Sequence, residues 1–196
     1  MVNRRQFVKA VVAAGAAGLI GSTLSTIRSA FPFEIVEEWI MEEDLFRYRK
    51  VEGAWFEKLA GMEAKKEHFD KIDKGASVLW NEMPAILIRI DEKKINSLDG
   101  VEDGFIAFLA KCTHLCCIPT YKLDEPSEKI FCRCHNGVFD PYIIETTEWK
   151  GVKYRGAKVL SGPPPVPLPQ IPVKIKDNFI YGVAENLKAY NYCRGE

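Results

Sequence analysis

Two short segments hold the residues of this chain that could do chemistry: Cys112-Thr113-His114-Leu115-Cys116-Cys117 and Cys132-Arg133-Cys134-His135. Each offers one thiolate and one imidazole at ligand spacing, Cys-x-His in the first and Cys-x-x-His in the second. Five of the six cysteines and two of the three histidines fall in them. Two Cys and two His can hold a [2Fe–2S] centre in which imidazoles replace two thiolates on one iron. The same four donors could hold a structural zinc in a tetrahedral site. Zinc pairs more often read Cys-x(2–4)-Cys with His-x(3–5)-His, whereas here each segment mixes the two ligand types. The mixture favours the iron–sulfur centre and electron transfer. His68, the third histidine, is expected to be an ordinary surface residue.

In order and spacing these two segments resemble the cluster loops of the Rieske family. The resemblance implies one [2Fe–2S] cluster, with Cys112 and Cys132 on the buried iron and His114 and His135 on the outer one. The cysteines that the ligand count does not need, Cys117 and Cys134, match the disulfide that ties the two loops together in Rieske subunits of quinol-oxidising complexes. In such subunits a hydroquinone meets the outer imidazoles, which makes His135 and His114 the catalytic pair and places His135 and the rim residue Leu115 against quinol. The stretch Ser161-Gly162-Pro163-Pro164-Pro165-Val166-Pro167-Leu168-Pro169 resembles the proline loop that covers the cluster from a third side. A free proline run would otherwise read as a linker or a polyproline ligand. The resemblance spans residues 69–183 and the N-terminal apolar run.

Several positions depart from the family pattern. After the second segment the family usually continues Cys-His-Gly-Ser-x-Tyr, but here the run is Cys134-His135-Asn136-Gly137-Val138-Phe139. The family's serine hydroxyl bonds a bridging sulfide, and its tyrosine hydroxyl bonds a ligand sulfur. Gly137 and Phe139 offer neither. Hydrogen bonds to cluster sulfurs stabilise the reduced, more negative state, so their loss predicts a low potential and fits menaquinol better than ubiquinol. Cys116 stands where the family usually has glycine. Once two ligands and one disulfide are assigned, Cys116 and Cys193 are the remaining cysteines. They form a candidate second bridge strapping the C-terminal tail across the first loop; a packed Cys116 thiol is the alternative.

The N-terminus places these loops in a compartment. Asn3-Arg4-Arg5-Gln6-Phe7-Val8-Lys9 looks like a twin-arginine export motif, followed by an apolar run over residues 10–27. Such export moves proteins already folded, which suits a chain that acquires its cluster in the cytoplasm. The run would reach about 27 Å as a helix, close to the roughly 30 Å hydrocarbon core. Arg28-Ser29-Ala30 is a poor cleavage site, so retention as a membrane anchor is expected. Arg4, Arg5 and Lys9 then keep the N-terminus cytoplasmic and leave the rest outside, where disulfides persist. Twenty-seven basic and 27 acidic residues cancel, and no global field points to nucleic acid.

Residues 1–30 are therefore read as signal and anchor. Residues 31–67 are read as an acidic helical linker or partner-docking segment, with Trp55, Leu59 and Met62 on one helical face. Residues 68–196 are read as the Rieske domain. Short runs rich in Val, Ile, Leu and aromatics at 76–80, 85–90, 105–109, 171–175 and 179–183 predict strands, with turns at Asn81-Glu82-Met83-Pro84 and Asp177-Asn178. The expected fold is all-β, a small antiparallel barrel or sandwich with the cluster loops at one end, preceded by a transmembrane helix and a short helical extension.

The function these readings imply is that of the membrane-anchored Rieske subunit of a bc-type quinol:cytochrome c oxidoreductase. It would work with a cytochrome b-type membrane subunit, take one electron from quinol, and pass it to a c-type haem or equivalent acceptor. The rival reading is the small relay subunit of a periplasmic molybdenum oxidase such as arsenite oxidase. A soluble Rieske ferredoxin or an oxygenase fits less well, because those lack the disulfide pair.

Overall fold

A computed structural model describes residues 42–121, 128–184, 190 and 192. Twelve strands run in chain order: β1 Glu42–Leu45, β2 Arg47–Tyr48, β3 Lys74–Trp80, β4 Met83–Arg89, β5 Phe105–Leu109, β6 Thr120–Tyr121, β7 Ile130–Cys132, β8 Gly137–Trp149, β9 Val152–Ser161, β10 Leu168–Ile171, β11 Val173–Lys176 and β12 Phe179–Ala184. They form a three-stranded sheet, β1-β12-β11, and a nine-stranded sheet, β2-β3-β4-β5-β10-β9-β8-β7-β6. Every strand pairing is antiparallel. The larger sheet curls back on itself. Tyr121 at its β6 end lies so close over Gly75 in β3 that a Cβ there would meet the ring at 2.3 Å. Only glycine allows that approach.

The all-β expectation holds for the described residues, and the hairpins follow from turn chemistry. Asn81 and Glu82 both have positive φ (45° and 60°), forming the two-residue turn that matches the right-handed twist of β3 and β4. Asp177 and Asn178 do the same between β11 and β12, with φ of 49° and 73°. The long β8–β9 hairpin, turned at Lys150-Gly151, is absent from the sequence reading. Its local signal is the Lys-Gly turn between runs rich in Ile, Thr, Val and Tyr.

The central strands explain how a thin sheet makes a core. β5 is buried at every position and β4 at five of seven, so both faces must be covered. Ala85, Leu87, Phe105, Ala107 and Leu109 enter one apolar cluster with Trp80, Ile171 and Ile180. The alternating residues Ile86, Ile88, Ile106 and Phe108 enter a second, with Cys112, Cys132 and Phe139. The period of two along these strands thus divides the core into a structural half and a half that backs the cysteines.

The helix expected over residues 31–67 does not form in the described part of that stretch, residues 42–67. Residues 42–48 supply β1 and β2, which pair with β12 and β3, and single 3₁₀ turns follow at Glu57–Leu59 and Lys66–His68. Residues 42–67 belong to the same compact unit as the strands that follow them. The physical reason is burial. Phe46 and Tyr48 sit in the core at 0% and 1% exposure, two residues apart as a strand requires, and this outweighs the helical spacing of Trp55, Leu59 and Met62. Trp55 instead caps the core edge, donating its indole N–H to the Gly75 carbonyl at 2.9 Å beneath the Lys74 ammonium. Residues 1–41 lie outside those described, as do the expected signal and anchor. Among the described residues no helix is long and apolar enough to cross a membrane.

His68 is not a plain surface residue either. Its Nδ1 accepts hydrogen bonds from the Lys65 backbone N–H at 3.3 Å and from the Tyr48 hydroxyl at 3.1 Å, which fixes the neutral form. Burial lowers its pKa below the ordinary histidine value; Lys65 and Lys74 lower it further, and Glu67 opposes them. The unfolded chain therefore binds this proton more readily than the folded one, and the stability it contributes is lost as pH falls below the ordinary histidine range. Between about pH 7 and 5 the unfolding free energy should drop more steeply in the wild type than in His68→Asn, whose Oδ1 can replace the Nδ1 acceptor. Equal slopes in denaturant titrations would refute this role.

Candidate iron–sulfur site

Each ligand loop grows directly out of a strand. β5 runs through Ala110, whose N–H still pairs with the Pro84 carbonyl at 2.8 Å, into Lys111 and Cys112. The first loop then closes on itself: Cys112 N–H donates to the Cys117 carbonyl at 2.8 Å, and Cys116 N–H donates to the Cys112 carbonyl at 2.9 Å. Cys116 turns the chain with φ of +58°, a conformation that costs a non-glycine residue roughly 1–2 kcal/mol. That conformation accounts for the glycine usual there in the family. The second loop is the hairpin turn between β7 and β8, where Cys132 pairs with Gly137 and Asn136 supplies the left-handed residue at φ +56°.

The loops bring the expected ligands together as two pairs, thiol with thiol and imidazole with imidazole. Cys112 and Cys132 are 2% and 1% exposed, and they are the free cysteines among the described residues. Their side chains contact one another, and burial pushes the Cys112 thiol up to about 11, with Cys132 adding to the rise and the backbone N–H groups of His114 and Leu115 opposing it. Nearer solvent, His114 and His135 face one another with their Nδ1 atoms 3.2 Å apart and their rings edge to face at 4.6 Å. Two buried thiols beneath two converging imidazoles form a graded donor set. The Cys112 thiol needs positive charge to ionise where it sits, and backbone N–H groups already point at its sulfur. The donor set fits an iron–sulfur cluster, whose irons supply that charge.

Cys117 and Cys134 are joined as a disulfide with α-carbons 6.4 Å apart. The Sγ atoms of Cys117, Cys132 and Cys134 lie within 4.8 Å of one another. Two of these sulfurs are spent on the bridge, so the trio locates the disulfide beside a ligand and is not itself a metal set. Cys116 is also disulfide-bonded, so the packed thiol considered from sequence is ruled out. Cys193, its expected partner, lies outside the described residues. Non-reducing peptide mapping should recover a Cys116–Cys193 peptide alongside Cys117–Cys134; a Cys193 that alkylates freely in native protein would exclude it.

The proline run packs against both loops. The Thr113 hydroxyl, between two expected ligands, donates to the Val166 carbonyl at 2.8 Å. Pro164 is buried against Gly137, where a Cβ would lie 2.7 Å from the Pro164 Cγ. From below, the Tyr154 hydroxyl holds the Pro167 carbonyl at 3.0 Å. Thr113 and Tyr154 went unnoticed in the sequence because a hydroxyl's partner forty or more residues away in one case, or across a hairpin in the other, leaves no local pattern. Leu115 projects from the first loop at 63% exposure, with Ile118 at 46%. The first loop therefore presents apolar side chains to solvent, while the exposed Arg133 and Asn136 flank His135 on the second.

No family model matches the chain. Two curated proteins do. One is the cytochrome b6-f complex iron–sulfur subunit of Chlorobaculum tepidum, 39% identical over 75 residues, covering 38% of this chain and 32% of that protein. The other is a putative respiratory nitrate reductase Rieske subunit of Haloferax mediterranei, 32% identical over 95 residues, covering 47% of this chain and 36% of that protein. Both relatives are named as iron–sulfur or Rieske subunits, and both ligand segments of the motif are present here. Over these stretches the chain is similar to Rieske-type subunits. It matches about a third of the length of these relatives. The soluble domain of Rieske protein II from Sulfolobus acidocaldarius is a further likeness, with a TM-score of 0.36 and 19% identity over 53% of this chain and 64% of that one. The two buried thiols and the two outer imidazoles are the donors this site offers to a cluster.

Proposed function

We propose that this chain is the Rieske subunit of a membrane-anchored bc-type quinol:cytochrome c oxidoreductase, oxidising menaquinol and passing one electron to a c-type haem. The observation that carries this reading is the polarity gradient of the site. Thiols are sealed in the core, imidazoles are open at the tip, and Leu115 and Ile118 make an apolar rim. A quinol head group has hydroxyls for the imidazoles and an apolar body for the rim.

In this reading Cys112 and Cys132 would hold a cluster from the buried side, and His114 and His135, whose Nδ1 atoms converge, would hold it from the solvent side. Bound there, a [2Fe–2S] cluster supplies a one-electron redox centre with a potential in the range of roughly −150 to +300 mV. The residues themselves bind, orient and move the proton. With Nδ1 engaged, each ring keeps Nε2 for a hydrogen bond. His135 accepts the quinol hydroxyl there and takes its proton as the quinol is oxidised, while Leu115 holds the ring of the quinol. The Cys117–Cys134 bridge, the Thr113–Val166 bond and Pro164 hold the loops in place around this contact and exclude water from the thiols. The twin-arginine motif and the apolar run at 10–27 support a single-pass anchor with the N-terminus cytoplasmic and the Rieske domain on the outer side. The disulfides suit that compartment.

A second reading is favoured by the Haloferax relative, whose name assigns it to a respiratory nitrate reductase. There the chain would relay electrons within a reductase or oxidase complex of the kind represented by arsenite oxidase, without touching quinol. Purification of the tagged full chain from native membranes separates the two. A b-type cytochrome partner and reduction of the cluster by menaquinol support the first reading. A molybdopterin-containing partner with no response to quinol overturns it.

A further inference from the structure

We propose that Tyr192 is a positioning residue for the cluster, fixing from behind the peptide that carries Cys112. The inference rests on the Rieske reading of the site and extends it to the C-terminal tail. Beyond β12 the chain returns to the domain at two aromatic points. Tyr190 is 5% exposed, packs edge-on against Trp80 with ring centroids 5.2 Å apart, and donates its hydroxyl to the Gln170 carbonyl at 2.8 Å. Two residues on, Tyr192 packs against Trp149, again with centroids 5.2 Å apart, and its hydroxyl donates to the Lys111 carbonyl.

That carbonyl belongs to the Lys111–Cys112 peptide unit. The N–H of the same unit donates to the Cys117 carbonyl at 2.8 Å. One peptide plane is thus held at both ends, by the loop's own turn on one side and by the tail on the other. The ligand that leaves this plane is Cys112, whose orientation cannot change without breaking one of the two bonds. Thr113, next in sequence, is tied to Val166. The first loop is therefore anchored to the tail, the proline loop and itself. Tyr190 is the internal comparison: it is equally aromatic, more deeply buried and similarly bonded, but its carbonyl partner lies in β10 and not beside a ligand.

The test uses purified full-length holoprotein and compares Tyr192→Phe with Tyr190→Phe. Each keeps its ring and loses one hydroxyl. Losing one hydrogen bond of about 1 kcal/mol should speed thermal loss of the cluster's visible absorption in Tyr192→Phe by roughly 5-fold. Its reduced-state electron paramagnetic resonance line shape should shift, and amide exchange at Cys112 should accelerate. Tyr190→Phe should lower the unfolding midpoint by a similar amount, with an unchanged line shape and unchanged exchange at Cys112. Trp149→Leu, which removes the ring under Tyr192, should give the Tyr192→Phe pattern in weaker form and serves if that variant fails to fold. Equal effects of the two tyrosine variants on line shape and Cys112 exchange, or none from either, would overturn the proposal. A wild type with no Rieske-type signal at all would overturn the cluster reading, while the amide exchange would still decide the role of Tyr192.

Discussion

Cys132→Ser should yield a folded, colourless protein without a cluster, whereas Cys134→Ser should keep the cluster and lose stability. The two cysteines lie two residues apart, and local sequence alone would not separate them. Cys132 is a free thiol, 1% exposed, in contact with Cys112. Serine fills the space but does not ionise there, and the inner pair of donors is halved. Cys134 is half of the disulfide to Cys117, with a sequence separation of 17. Its loss removes a clamp worth about 3 kcal/mol in the chain-entropy model but none of the four donors. Iron analysis and visible absorption of both variants decide the matter. A Cys132→Ser protein with full iron and colour would show that the ligands are misassigned. A wild type that binds zinc in place of iron would return the site to the structural alternative.

The wild-type midpoint potential should fall in the lower part of the Rieske range of roughly −150 to +300 mV. Phe139→Tyr should raise it by on the order of 50 mV, the one-electron equivalent of a hydrogen bond worth ~1.2 kcal/mol more to the reduced state. Phe139 is 0% exposed and shares its apolar cluster with Cys112 and Cys132. A hydroxyl added there has a ligand sulfur as its nearest chemical use, and without a partner it would cost about 1–3 kcal/mol of stability. Gly137→Ser looks equivalent from sequence, but the structure sets it apart. A Cβ at 137 would sit 2.7 Å from Pro164, so serine must push the proline loop outward before its hydroxyl can reach a sulfide. Phe139→Tyr should therefore raise the potential with little loss of cluster, and Gly137→Ser should destabilise the loop contact. Protein-film voltammetry on the three proteins measures this. A wild-type potential near the top of the range, or a fall in Phe139→Tyr, would sink the argument.

The sequence by itself determined the donors. Cys112, His114, Cys132 and His135 were legible because ligand spacing is local: two residues in one loop and three in the other bring the atoms of a pair within reach of one metal. Turn chemistry was local too, and the Asn81-Glu82 and Asp177-Asn178 hairpins were found where positive φ had to be. Residues 42–67 were misread for the opposite reason. Helical spacing in residues 55–62 is a weak local preference, and pairing of β1 with β12 and β2 with β3 joins residues too far apart to announce themselves. The strands buried on both faces outbid that preference by taking Phe46 and Tyr48 into the core. Tertiary structure alone decided what surrounds the donors. Pro164 over Gly137, Thr113 on Val166, the left-handed turn at Cys116 and the Tyr192 contact at Lys111 all depend on chain segments meeting across the fold. Their hydrogen bonds and close approaches have no sequence period, because the partner is fixed only once the sheet has curled and the strands are in register.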